Sequence, residues 1–201
     1  MFITFEGIDG SGKSTLIPFI ADWLRQQGRE VVCTREPGGT PMGSTLRHLL
    51  EFEDVSDKTR FLLYLADRAE HVEKVIAPAL AAKKDVLCDR YCDSTFAYQP
   101  ETFPIVPASM FASGGLMPSL TILLDVSAET AAQRIYKREE CPPSEAELEY
   151  LKEVRQKYLD AAFNLGENRI TVIDAERDVD AVYNEAVKDI REAHNFGREQ
   201  G

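Results

Sequence analysis

The chain has no apolar run approaching about 20 residues, the length a membrane-spanning helix requires. A charged leader is not expected either, since Met1 runs directly into a strand-like segment. These absences argue against a membrane-embedded or secreted protein. Positive charge is scarce too: 23 Lys and Arg face 34 Asp and Glu, a formal net charge of −11. A phosphate backbone or an acidic membrane surface demands a basic face, so the balance argues against a general nucleic-acid or membrane-surface binder. Any phosphorylated ligand must be met by a few cations gathered in one pocket. Cysteine is sparse and scattered, at Cys33, Cys88, Cys92 and Cys141. Cys88 and Cys92 flank a strand end with no histidine near them, which argues against zinc. Cys33 and Cys88 are expected in buried strands as small hydrophobes. His48, His71 and His194 are isolated. A reduced, cytoplasmic protein is the simplest account of these thiols, and neither an internal repeat nor a low-complexity tract interrupts the chain.

What is present is ordinary globular composition, 44% hydrophobic and 28% charged over 201 residues, enough for one domain with its own core. The most informative stretch runs from Gly7 through Ile8, Asp9, Gly10, Ser11, Gly12, Lys13 and Ser14 to Thr15. Apolar Phe2 to Phe5 precede it, and Leu16, Phe19, Ile20, Trp23 and Leu24 follow at helical spacing. Strand, glycine loop, helix is the context of a Walker A phosphate loop, and Gly7, Gly12, Lys13 and Ser14 fill its fixed places. Its glycines let consecutive N–H groups surround an anion, and the helix start adds its positive end. Lys13 would reach the outer phosphates of a nucleotide, and the Ser14 hydroxyl would ligate Mg²⁺.

The remaining chain alternates strands and helices. Strands are predicted at Val31–Thr34, Asp85–Asp89, Leu120–Asp125 and Ile170–Ile173. Helices are predicted at Met42–Leu50, from Asp57 to about Ala82 with a kink or break near Pro78, after a capping Ser127, from Ser144 to about Asn164, and from Val179 on. Asn195 to Gly201 read as a frayed tail. This order implies a parallel sheet covered on both faces, a doubly wound α/β fold. Its ligands bind where strands end. Arg35-Glu36-Pro37-Gly38-Gly39 and Asp89-Arg90-Tyr91 stand at such ends. Asp89 is where P-loop enzymes keep a Mg²⁺ partner. Tyr64 and Arg68 are four apart on one helix face; a core tyrosine beside a solvated arginine fits that spacing as well as a binding pair does.

Several segments taken together resemble the thymidylate kinase family. They are Phe5-Glu6-Gly7-Ile8-Asp9-Gly10, Arg35 to Thr40, Ala66-Asp67-Arg68, Asp89-Arg90-Tyr91 through Ser94-Thr95 to Ala97-Tyr98-Gln99, and Gly114-Gly115 leading through Pro118 to Leu123-Leu124-Asp125-Val126. Their order and spacing span residues 1 to about 127. The resemblance implies phosphoryl transfer from ATP to dTMP with Mg²⁺, giving dTDP on the route to dTTP. It implies a five-stranded nucleoside-monophosphate-kinase-like sheet, a lid at about 134–149 and a homodimer. It puts Lys13, Ser14 and the loop amides on ATP, Asp9 and Arg90 on the acceptor, and Asp89 beside Mg²⁺. It puts Tyr64 in stacking contact with the thymine ring and Arg68 on the base edge. Thr95 and Tyr98 line base and deoxyribose, with Tyr98 disfavouring a 2′-hydroxyl.

The sequence departs from the family in two places. Pro100 stands where glycine is usual, and the Asp-Arg pair after the lid helix is missing. Members with glycine at the position of Gly10 take a catalytic arginine from the lid, where Arg134, Lys137 and Arg138 are the candidates. Arg138 is expected on the transferring charge and Arg134 near the adenine. Three rivals remain. A GTPase switch would need an Asn-Lys-x-Asp signature, which is absent. A deoxynucleoside kinase could use Glu36 as its base. A regulatory nucleotide-binding module would have lost catalysis.

Overall fold

A computed structural model describes the backbone at all residues except 53, 140–141, 166–168 and 200–201, and side chains except those and 52, 138–139, 165 and 195–199. Five short apolar segments form the strands: β1 (Phe2–Glu6), β2 (Val31–Arg35), β3 (Asp85–Asp89), β4 (Leu120–Asp125) and β5 (Ile170–Asp174). They pair in parallel in the order β2-β3-β1-β4-β5. The helices are α1 (Lys13–Gln26), α2 (Pro41–Phe52), α3 (Asp57–His71), α4 (Ala77–Ala81), α5 (Cys92–Tyr98), α6 (Ile105–Ser113), α7 (Ala128–Glu139), α8 (Glu145–Leu165) and α9 (Val179–Glu199).

Side chains alternate across the sheet, and both faces are covered. Ile3, Phe5 and Leu87 pack in one layer with Leu16, Ile20 and Leu24 of α1. Phe2, Val86 and Cys88 pack in another with Val72, Ile76 and Ala79. Register then decides where the chemistry lies. Asp89 is level with Phe5 on one side and Arg35 on the other. The exits of β1, β2 and β3 therefore open at one edge, carrying the glycine loop, Glu36-Pro37 and Arg90.

One expectation needs correction, and two segments gain detail. Cys33 is exposed rather than buried, because β2 is the edge strand, flanked by β3 on one side only. The predicted helix from Asp57 to Ala82 is divided by a π-helical turn at Val72–Ile76, just ahead of Pro78, whose ring cannot donate to the preceding turn. The proline-rich stretch after Gln99 contains α6, with Pro107 in its first turn, where a missing N–H costs nothing. Cys141 lies outside the described residues.

One buried ion pair ties α5 to the sheet. Asp93 accepts from Arg169 at 2.6 and 2.8 Å and from Thr121 Oγ1 at 3.1 Å. Replacing Arg169 by Leu leaves this carboxylate buried beside only the hydroxyl. The substitution should cost about 3–5 kcal/mol, read from the shift in urea midpoint. An unchanged midpoint would show that the pair contributes nothing net.

Candidate active site

The loop after β1 is held by its own lysine. Lys13 Nζ donates to the carbonyls of Gly7 at 2.9 Å and Ile8 at 3.1 Å, and lies 3.4 Å from Ser11 Oγ. Ile8 contributes only backbone, since its side chain is in the core. Asp9, Ser14 and Thr15 are exposed at the loop surface. Burial, with Arg90 nearby, pushes the Lys13 ammonium down to about 8. Gly10 has φ +82°, and a Cβ there would sit 2.5 Å from the Ala131 carbonyl oxygen of α7. Arg134 of α7 closes the same contact, donating to Gly10 O at 3.3 Å and Ala175 O at 2.9 Å. Lys137 is exposed, and the Arg138 side chain lies outside the described residues.

Arg90 leaves β3 in left-handed backbone, φ +69°, a conformation that costs energy in a residue with a side chain. That turn brings its guanidinium back over the site. It donates to Asp9 Oδ1 at 2.7 Å, Tyr158 OH at 2.9 Å, Tyr98 OH at 3.1 Å and Ser94 Oγ at 3.3 Å, and it stands 4.9 Å over the Tyr98 ring. Burial pulls its proton affinity down, but Tyr158, Tyr98, Asp9 and Glu6 outweigh burial and hold it well above the usual value. Beneath it, Glu6 accepts from Tyr91 N at 2.7 Å, Ser94 Oγ at 2.6 Å and Tyr158 OH at 2.9 Å. Burial, reinforced by Asp93, pushes Glu6 up to about 7.

Two cavities meet at this arginine. One has an empty volume of about 530 Å³, the open solvent at its mouth included. Tyr64, Arg68, Thr95 and Tyr98 line it, so the residues four apart on α3 do share one pocket. The other is wider and is lined by Lys13, Ser14, Asp89 and Arg134 among others. Asp9, Arg90 and Tyr64 belong to both walls. The sequence-based site residues thus converge, Arg138 apart.

The donor set fits a small divalent cation. Asp89 Oδ1 is buried and has no hydrogen-bond partner among the described residues, and Ser14 and Asp89 line the same cavities. Among the described residues no cluster of three or more His, Cys, Asp or Glu could hold a metal unaided. One hydroxyl and one carboxylate suit Mg²⁺, which takes its remaining ligands from phosphates and water.

The family model described as thymidylate kinase matches residues 5–186. The chain belongs to the thymidylate kinase family. A thymidylate kinase of Thiobacillus denitrificans is 41% identical over 193 residues, covering 93% of this chain and 94% of that one. One from Desulfosudis oleivorans is 40% identical over 191 residues, covering 87% and 89%. The crystal structure of thymidylate kinase from Ehrlichia chaffeensis superposes with a TM-score of 0.76 at 32% identity, covering 95% of this chain and 98% of that chain. The fold is that of a P-loop nucleoside-monophosphate kinase, five parallel strands with helices on both faces.

Sequence reasoning missed Glu6, His71, Arg47 and Tyr158, and read Glu36 only as a strand-end residue that could serve a rival kinase as base. Glu6 alone carried a signal, as an acid closing an otherwise apolar strand. Arg35 and Arg47 add two cations to the wider cavity. Lys13 yields a prediction for pH. A lysine is charged only below its pKa, so lowering that value to about 8 removes the charge at correspondingly lower pH. Affinity for ATP should fall about tenfold per unit above pH about 8, measured by calorimetry. Affinity constant to pH about 9.5 would show that Lys13 keeps its proton.

Proposed function

We propose that the chain transfers the γ-phosphoryl group of ATP directly to the phosphate of dTMP, giving dTDP and ADP. The observation that carries this reading is the pair of adjoining cavities sharing Arg90 and Asp9, one behind the phosphate loop and one lined by Tyr64 and Arg68. Phosphoryl transfer needs positioning and charge neutralisation more than covalent chemistry. The loop amides, Lys13, Ser14 and Thr15 hold the ATP phosphates, and Arg134 lies toward the adenine. Arg90 holds the acceptor phosphate close to the transferring group, steered by Asp9. An acceptor phosphate oxygen is already ionised, so no strong base is needed. Ser14 and Asp89 are the residues that would hold Mg²⁺. When bound, the ion neutralises charge on the phosphates.

Selectivity follows from the narrower cavity. Tyr64 offers a ring to any base, so discrimination falls to Arg68 and Thr95. A guanidinium only donates: it suits the C4 oxygen of thymine and meets a second donor in the amino group of cytosine. The Tyr98 phenol, engaged by Arg90, occupies the space a ribose 2′-hydroxyl would need. Glu36 has both oxygens taken up, by Arg68 at 2.9 Å and His71 at 3.0 Å, which disfavours it as the base of a deoxynucleoside kinase.

We further assign the chain as one catalytic unit, residues 1–201, with the lid at about 134–149. A homodimer is consistent with exposed Leu62 on α3 and exposed Val106, Met110 and Phe111 on α6. A cytoplasmic location is consistent with the free thiols of Cys33, Cys88 and Cys92. No helix among the described residues is long and apolar enough to cross a membrane.

Release of ADP, followed with ATP and Mg²⁺ against dTMP, dUMP, dCMP and thymidine, tests the assignment. Turnover should be best with dTMP, about 100-fold or more lower in kcat/KM with dCMP, and absent with thymidine. Thymidine turnover without dTMP turnover would sink it. In the same assay Arg138→Ala should lose about 10³-fold in kcat if that residue meets the transferring charge. An unchanged rate assigns that charge to another cation.

A further inference from the structure

His71, isolated in the sequence, is fully buried behind the narrower cavity. Its Nδ1 lies 3.0 Å from Glu36 Oε1, and its Nε2 lies 2.6 Å from Thr34 Oγ1. The other Glu36 oxygen accepts from Arg68 Nε at 2.9 Å. Arg68 Nη1 donates to Thr95 Oγ1 at 2.9 Å, and the guanidinium stands 5.1 Å over the Tyr91 ring. These bonds fix Arg68 on three sides. Among the described residues Nη2 is the nitrogen left without a protein partner, and Arg68 lines the cavity.

Chemistry sets the direction of the chain. Arginine has only donors and a carboxylate only acceptors, so the proton between His71 and Glu36 sits on Nδ1. Without it, one oxygen of a buried carboxylate would be unpaired, and the acid would be free to rotate away from Arg68. The backbone is arranged to admit the ring. A Cβ on Gly39 would collide with the His71 imidazole, and Gly38 N is held by Asp67 at 3.1 Å from the same helix as His71.

We propose that His71 is a specificity-determining positioning residue: its Nδ1–H fixes the Glu36 carboxylate and thereby the plane in which Arg68 offers its remaining donor to the C4 oxygen of the acceptor's pyrimidine. The inference rests on dTMP being the acceptor. His71 itself touches no substrate; it acts through Glu36 and Arg68. An error in the guanidinium plane weakens the bond to thymine and lessens the penalty against cytosine, and it leaves the ATP side untouched.

The test compares the unaltered protein with His71→Leu, His71→Asn and Thr34→Val, using steady-state kinetics on dTMP, dCMP and ATP. His71→Leu keeps bulk but no donor, and should lower kcat/KM for dTMP about 10–100-fold. The preference for dTMP over dCMP should shrink with it, while KM for ATP stays within about twofold. His71→Asn keeps an N–H near the Nδ1 position and should recover most of the loss. Thr34→Val, which removes only the hydroxyl holding the far side of the ring, should move the same parameter less; it serves if the His71 variants do not fold. Equal losses toward ATP and dTMP, or no loss of base preference, would overturn the proposal. Long-range ¹H–¹⁵N spectra of the unaltered protein give a readout apart from activity: a His71 proton on Nδ1 is expected, and one on Nε2 alone overturns it. If the unaltered protein fails to turn over dTMP, the acceptor assignment fails as well; intact dTMP turnover with unaffected variants refutes the role of His71 alone.

Discussion

The Glu6 carboxylate lies under the phosphate loop and accepts hydrogen bonds from the Tyr91 backbone, the Ser94 hydroxyl and the Tyr158 phenol. Those groups belong to the β3 exit, to α5 and to α8. Two of them, Ser94 and Tyr158, also receive Arg90. Burying a carboxylate opposes its ionisation, and proximity to Asp93 adds to the opposition. The compensation is geometric. With Glu6 in place, α5 and α8 are pinned to the end of β1, and the left-handed turn that carries Arg90 is held from below. Remove that hold, and Arg90 keeps only its backbone bond to Phe5 and its bonds to Asp9 and Tyr98, with Ser94 and Tyr158 no longer fixed beneath it.

Around this support the charge distribution inverts. The chain as a whole carries −11, yet Lys13, Arg35, Arg47, Arg68, Arg90 and Arg134 all line the two cavities. Partnering differs among them. Arg68 is held by Glu36 and Thr95 with Nη2 left over among the described residues, Arg90 is held by four side-chain oxygens, and Lys13 is folded onto loop carbonyls and discharged more easily. Arginine in the first two places retains its charge under burial, as a lysine would not. An acidic exterior with a cationic cleft repels polyanions broadly and still concentrates a small phosphate where the field is focused.

The strands were legible because apolar runs bounded by breakers define them, and the loop because its glycines and lysine sit between a strand and a helix. The Tyr64 and Arg68 pairing was legible in spacing and ambiguous in meaning; only the cavity between α3 and α5 distinguishes a binding pair from a core tyrosine. Cys33 misled because strand order, not local sequence, decides that β2 is an edge. Glu36 and His71 sit 35 residues apart, and Glu6 and Tyr158 sit 152 apart; no local pattern announces a bond that only tertiary packing creates. Tyr158 in particular has the spacing of any buried helix residue. Resemblance supplied what periodicity could not, namely which polar residues from separate segments to seek around one cavity.

Gly10 shows how packing constrains chemistry. The Ala131 carbonyl fills the place a side chain would take, and Arg134 fastens the same junction. The loop and α7 are therefore interlocked, and a side chain at position 10 could not be installed without displacing that helix. On the proposed assignment of Arg138, the decisive positive charge then resides on a different segment from the nucleotide. On that assignment the charge is positioned by the seating of α7 on the loop, so the contact between Ala131 and Gly10 bears on turnover as well as on packing.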